Sequence, residues 1–292
     1  MKRVRVDARC KINLGLEVVS RRPDGYHEID TVFQTVSLAD VLELEPLPPG
    51  EIRLDVVTGC APAGHANLAW RAAEALAAAT GAPGVSIRLE KHIPVAAGLG
   101  GGSADAAAVI GGMNALYGLG LPAEALRTVG LAVGSDVPFL IGGGTARGRG
   151  RGEKLEALTP LHGVWFVLVT PPAEVSAREA YARARIGLTG RSGFTKLICS
   201  AIQDRDPGAL ARALQNDLEP GVVDLCPEVG RLEASLRERG AMGVVMSGSG
   251  PTVVGLMRSR EDAERIAASL SGAGRRTHVV EPVDTGCVIS GA

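Results

Sequence analysis

Three groups of residues have types and spacings that can do chemistry. The densest is Pro94-Val95-Ala96-Ala97-Gly98-Leu99-Gly100-Gly101-Gly102-Ser103-Ala104, a glycine-rich run leading into an alanine-rich stretch. Glycines let backbone N–H groups approach an anion with no side chain in the way, and a following helix adds unpaired N–H groups and the positive end of its dipole. Such a loop suits phosphate. Ser103 falls at the expected helix start, where its hydroxyl can cap the helix or touch phosphate or a metal ion. An ordinary glycine turn capped by Ser103 would use the same residues. The run matches neither the Walker glycine-lysine pattern nor a well-placed dinucleotide fingerprint, which disfavours a P-loop NTPase and a Rossmann enzyme.

The other two groups supply charge. Lys11, followed by Ile12 and Asn13, can point an ammonium into the same site, lower the pKa of a hydroxyl and neutralise a transferring phosphate. Asp136, after Gly134 and Ser135, sits between an expected helix and an expected apolar strand over residues 137–141. A carboxylate there can accept a hydroxyl proton. A held phosphate, a positioned hydroxyl and relief of developing charge are what phosphoryl transfer to an alcohol requires. On composition alone, an isolated Asp like Asp136 is more often a cap or turn residue and a lone strand lysine like Lys11 a solvated edge charge.

The elements that must position these groups alternate along the chain. Strands are expected over residues 4–19, 29–36, 40–44, 85–91, 164–169, 243–246, 252–257 and 277–281. Helices are expected over residues 66–80, in the stretch after the glycine loop, and over 122–133, 177–185, 193–203, 209–216, 228–239 and 260–270. Residues 21–26 read as a turn. The chain of 292 residues is long for one core, and we expect two domains, residues 1–158 and 159–292, each mixed in helix and strand. A net charge of -1 leaves no electrostatic footprint for nucleic acid or an anionic membrane. The five cysteines form no metal-ligand spacing, and the N-terminus has no signal-peptide pattern, so a cytoplasmic protein with free thiols is expected. Monomer and homodimer both remain open.

The loop Pro94, Gly98, Leu99, Gly100, Gly102, Ser103 resembles the phosphate loop of the GHMP kinases. Two further blocks resemble that family in the right order: Ala8 to Leu14 around Lys11, and Met246-Ser247-Gly248-Ser249-Gly250-Pro251-Thr252. The resemblance implies an α+β fold of two domains, a ribosomal-protein-S5-like N-terminal unit and a ferredoxin-like C-terminal unit, with ATP and an alcohol meeting between them. It implies Lys11 and Asp136 as the catalytic pair and Asn13 as the residue that positions substrate or lysine. The whole loop from Pro94 to Ala104 would hold the ATP phosphates, with Asn67 and Lys91 toward the adenine. Mg²⁺ would accompany ATP, its protein ligands unassigned apart from Ser103 as a candidate. Arg21-Arg22-Pro23-Asp24-Gly25-Tyr26-His27 and Gly134 to Phe139 resemble in particular the members whose substrate carries a cytidine diphosphate moiety, in the non-mevalonate route to isoprenoid precursors. There Tyr26, His27 and Tyr181 would form the cytosine pocket. Ala177 stands where relatives often have threonine, so a hydroxyl contact is lost at that position.

Overall fold

A computed structural model of the chain describes residues 3–184 and 193–291. The chain opens with β1 (Val4–Arg21) and β2 (His27–Leu47), which pair antiparallel along almost their whole length. Register shifts between Arg9 and Lys11 and between Asn13 and Gly15 interrupt the ladder where the reactive side chains stand. There follow β3 (Ile52–Thr58), α1 (Leu68–Thr80), β4 (Gly84–Glu90), α2 (Gly101–Tyr117), α3 (Ala123–Val133), α4 (Val137–Gly142), β5 (Thr145–Gly150) and β6 (Lys154–Ala157).

The second half runs β7 (Trp165–Thr170), α5 (Ala177–Ala182), α6 (Phe194–Gln203), α7 (Pro207–Ala213), β8 (Gln215–Asn216), α8 (Glu219–Leu225) and α9 (Pro227–Glu238). It ends with β9 (Gly243–Met246), β10 (Val253–Met257), α10 (Arg260–Leu270), β11 (Arg276–Val280) and β12 (Cys287–Ser290). One sheet follows the order β12-β1-β2-β4-β3, with β5 and β6 extending from β2 and β8 beside β1. The other is antiparallel, in the order β11-β7-β10-β9. That order is the one a βαββαβ ferredoxin-like unit produces. The first sheet thus also recruits β8 and β12 from the C-terminal half.

The expected α+β architecture is what the chain adopts, but several elements differ from expectation. Residues 137–141 form the helix α4, not a strand. A five-residue apolar run has no readable period, and Pro138 lies in the first turn, where its missing N–H costs nothing. The helix α2 begins at Gly101, with Gly100 as its cap in the left-handed region at φ 69°, so Ser103 lies inside the first turn and caps nothing. The two strands expected over residues 29–44 are the single strand β2, while β3 and β12 are short edge strands whose exposed faces weaken the alternation. The helix expected over 177–185 ends at Ala182, and its last expected residue lies outside the described ones.

One core joins α1, α2, α3 and α4 to the inner face of the first sheet and continues onto the second sheet through Phe166, Leu168, Val245, Val254 and Leu256. A second core packs α9 and α10 on the other face, through Val167, Val169, Leu232, Leu236 and Ile266. The two sheets are therefore welded across apolar contacts, which leaves the strand β1 buried on both faces from Cys10 to Leu16. No described helix is long and apolar enough to cross a membrane.

An ionisable group interrupts the second core. Glu233 of α9 is buried, and its Oε1 has no hydrogen-bond partner among the described residues. Burial first, and then the nearby Glu219 carboxylate, push its carboxyl up to about 8. The folded protein thus keeps a proton that the unfolded chain, near 4.5, gives up. Stability should fall as pH rises through that interval. Glu233→Gln should remove the dependence, so its melting temperature should gain on that of the parent between pH 5 and pH 8. Parallel curves across that range would exclude Glu233 as the source.

Candidate active site

A cavity of about 520 Å³ lies between the glycine loop, the middle of β1, residues 61–68 and the start of α5. Lys11 is almost wholly buried at its floor. Its ammonium donates to Asn13 Oδ1 at 2.7 Å and to the Gly98 carbonyl at 3.1 Å, stands 3.5 Å from Asp136 Oδ2, and lies 5.7 Å from the centre of the Phe33 ring. The strand places Lys11 and Asn13 two residues apart and hence on one face. Asn13 is held in turn, since its Nδ2 donates to Thr31 Oγ1 at 2.7 Å and that hydroxyl donates to the Gly15 carbonyl at 2.6 Å. The chain of bonds fixes Lys11 without spending its charge on a tight carboxylate pair.

Asp136 is the residue just before α4 and makes no capping bond to it. Its side chain keeps 29% of its surface exposed and faces the cavity. A carboxylate left free at a helix start, next to a buried ammonium, can take a proton from a hydroxyl while the ammonium offsets negative charge.

The glycine loop reaches the same ammonium from above. Gly100 leaves the left-handed turn with the Lys11 stem directly beneath it, so that a Cβ there would lie 3.1 Å from Lys11 Cγ and Cε. Gly98, at φ 75°, passes so close to the turn after β9 that a Cβ would lie 2.1 Å from the Ser247 carbonyl. That turn is bonded to the loop: Ser247 Oγ donates to the Gly98 carbonyl at 3.0 Å and accepts from the Asn13 N–H at 3.2 Å. Asn216 steadies the turn from below, its Nδ2 donating to the Met246 and Gly248 carbonyls at 2.7 Å each. Residues 94–98 and 100–103 line the cavity, while Leu99 and Ala104 are buried behind the loop. The loop then feeds the 17-residue helix α2, whose first N–H groups face the cavity with no side-chain cap.

At one end of the cavity stand Asn67 and Lys91. Asn67 caps α1, its Oδ1 accepting from the Ala69 N–H at 2.9 Å and its Nδ2 donating to the Pro62 carbonyl at 2.9 Å. Lys91 is buried between Asp40 and Asp105, donating to Asp105 Oδ2 at 2.7 Å and to Asp40 Oδ2. Burial opposes its charge, but the Asp105 and Asp40 carboxylates outweigh it and hold the ammonium above its ordinary range.

At the other end, Tyr181, Ala177 and Arg151 line the wall. Burial, with the Asp136 charge adding, raises the Tyr181 phenol. The His27 ring stacks on Tyr181 at 5.1 Å between centres and 22° between planes, and burial, then Arg21, lower its pKa. Tyr26 is 55% exposed outside the cavity, with the Arg151 guanidinium 4.8 Å from its ring centre. The structure thus brings together Lys11, Asn13, Asp136, Tyr181 and the loop, whereas Tyr26 and His27 stand behind the wall.

Sequence reasoning singled out the turn that carries Ser247 but missed Arg151, Asp40 and Asp105. Arg151 is one of three arginines that alternate with glycine over residues 147–152, and nothing local separates it from Arg147, which pairs with Asp30, or Arg149, which pairs with Glu156. Asp105 did carry a signal, as a lone charge in an alanine-rich helix. No group of three or more His, Cys, Asp or Glu side chains among the described residues forms a metal site. Ser103, Ser135 and Asp136 are among the oxygen donors that line the cavity near the loop.

The GHMP kinases N terminal domain matches residues 67–144 and the GHMP kinases C terminal domain matches residues 198–276. The chain belongs to the GHMP kinases, and its two sheets are the two-domain fold of that family; it is a small-molecule kinase. Among curated relatives, the 4-diphosphocytidyl-2-C-methyl-D-erythritol kinase of Pelotomaculum thermopropionicum is 47% identical over 262 residues, 89% of this chain and 91% of the relative. The protein of the same name from Exiguobacterium sibiricum is 44% identical, covering 94% of this chain and 96% of the relative. A crystal structure of a 4-(cytidine 5'-diphospho)-2C-methyl-D-erythritol kinase, 35% identical, superposes with a TM-score of 0.78 over 95% of this chain and 99% of that one.

Proposed function

We propose that the protein transfers the γ-phosphoryl group of ATP to the 2-hydroxyl of 4-diphosphocytidyl-2-C-methyl-D-erythritol, giving the 2-phosphate and ADP, in the non-mevalonate route to isoprenoid precursors. The observation that carries the chemistry is the buried Lys11 ammonium, 3.5 Å from Asp136 and 3.1 Å from the Gly98 carbonyl of the phosphate loop. The long relatives of one name carry the substrate.

In this reading the residues from Pro94 to Ala104 hold the triphosphate, by backbone N–H groups and the start of α2. Asp136 accepts the proton of the 2-hydroxyl as its oxygen attacks the γ-phosphorus. Lys11 offsets the charge that builds on the attacking and equatorial oxygens. Asn13 orients Lys11. Asn67 and the backbone around Lys91 face the adenine, while Tyr181, backed by the stacked His27 ring, takes the cytosine. Mg²⁺ bound with ATP would neutralise phosphate charge, with Ser103 as the residue that would hold it. The five free cysteines fit a reducing cytoplasm.

Phosphorus NMR of a completed reaction tests this directly. One new phosphomonoester resonance should appear alongside ADP, with the cytidyl diphosphate signals retained; loss of those signals would instead mean cleavage of the diphosphate. Substituting His27→Ala removes the ring that stacks on Tyr181. It should raise the KM for the cytidyl substrate about tenfold, the equivalent of one good hydrogen bond, and leave the KM for ATP within about twofold. Equal effects on both constants would count against a cytosine pocket there.

A further inference from the structure

The charged cluster of Asp40, Lys91 and Asp105 lies under the phosphate loop and has no part in the proton transfer described above. Asp40 belongs to β2 and is completely buried. Its Oδ1 accepts the backbone N–H of His92 at 2.5 Å and of Ile93 at 2.8 Å, the two residues that lead into Pro94. Its Oδ2 takes the Lys91 ammonium, which also donates to Asp105 Oδ2 at 2.7 Å, just past the first turn of α2. Asp105 Oδ1 has no partner among the described residues, so the bond from Lys91 to Oδ2 is what holds this carboxyl group, whose pKa burial pushes up to about 8. Both ends of the loop meet at this cluster: a Cβ on Gly101 would stand 2.9 Å from Ile93 Cγ2 and 3.4 Å from Lys91 Nζ.

We propose that Asp40 is a positioning residue that sets the span of the phosphate loop, clamping its leading end through His92 and Ile93 and its trailing end through Lys91 and Asp105. The inference rests on the ATP-dependent reaction proposed above. Burying a lysine between two carboxyl groups is a poor route to stability, because the desolvation cost offsets most of the attraction and apolar packing would serve the core as well. What the cluster provides is geometry. Four hydrogen bonds of fixed direction join strand β2, the end of β4 and the start of α2, and the unsupported stretch between them is the part that must match a triphosphate. The core of apolar side chains around α2 has no such directionality.

Asp40→Asn keeps the shape and the Oδ1 acceptor but removes the charge that binds Lys91. Asp105→Asn leaves every Asp40 bond to the leading end intact and releases the trailing end. In each variant, affinity for a non-hydrolysable ATP analogue, read by calorimetry without the alcohol, should fall about tenfold. The KM for ATP should rise by the same factor, and the KM for the cytidyl substrate should stay within about twofold. Because both act through one lysine, the double variant should lose less than the product of the two single losses. A lower melting temperature with unchanged analogue affinity and unchanged KM for ATP would reduce the cluster to a structural ion pair and overturn the proposal. If Asp40→Asn does not fold, Asp105→Asn decides alone by the same two readouts. Analogue affinity is measured without turnover, so it separates failure of the clamp from failure of the substrate assignment: the wrong alcohol would leave the affinity losses in place.

Discussion

Asp136→Asn should bind ATP almost as well as the parent and turn over about a thousandfold more slowly, within the range that a positioned general base contributes. The amide keeps the size and position of the carboxylate at the start of α4, where no capping bond depends on it, so folding should be unaffected. What disappears is the group that takes the hydroxyl proton. Because the interaction exists in the transition state and not in the ATP complex, kcat and kcat/KM should fall together. Rapid-quench single-turnover kinetics check this, since product release cannot mask a slowed chemical step. Undiminished turnover would remove Asp136 from the mechanism.

Lys11→Met should cost about a hundredfold or more in kcat, the size of effect expected when a preorganised charge facing the developing negative charge is lost. Methionine has nearly the length of the lysine stem and can lie under Gly100 and beside Phe33 as lysine does. The Gly98 carbonyl keeps its bond from Ser247, which limits the damage to the loop. Lys11→Arg should not restore activity. The stem already fills the space beneath Gly100, and a planar guanidinium in place of a compact ammonium has to displace Asn13 or the loop. Recovery of full activity in Lys11→Arg would mean that charge alone suffices and that the tight fit under Gly100 is immaterial.

Much of the site was readable because its reactive groups come in contiguous blocks. The run from Pro94 to Ser103 stands out by composition and points to a phosphate loop through its resemblance to the family's, and Lys11 and Asn13 share a strand face by simple alternation. Asp136 was placed at an element start correctly, yet before the wrong element. Residues 137–141 hold five apolar side chains, and only their packing against α2 and α3 makes them a helix. Ser103 was misread for a related reason: Gly100, not the serine, adopts the left-handed conformation that starts α2. The partners that brace the site were illegible. Asp40 and Lys91 are 51 residues apart, and Ser247 and Gly98 are 149 apart. No local pattern encodes such contacts, because the fold itself creates them. The same holds for β12, which returns from the C-terminal end to the edge of the first sheet beside β1.

The stacking of His27 on Tyr181 likewise joins a turn of the first half to a helix of the second, and backs the cavity wall that Tyr181 forms. On the proposed reading, selectivity for the cytidyl substrate depends on both halves, whereas the proposed catalytic pair of Lys11 and Asp136 belongs to the first alone. Damage to the wall should change which alcohol is accepted before it changes how fast a bound one reacts.

The most direct measurement is ADP release by the purified protein with ATP and Mg²⁺, in parallel with 4-diphosphocytidyl-2-C-methyl-D-erythritol, homoserine, mevalonate and galactose. Turnover confined to the cytidyl substrate is the predicted result. Turnover with one of the other alcohols would keep the kinase and contradict the substrate, and silence with all four from a folded protein that binds ATP would contradict catalysis itself.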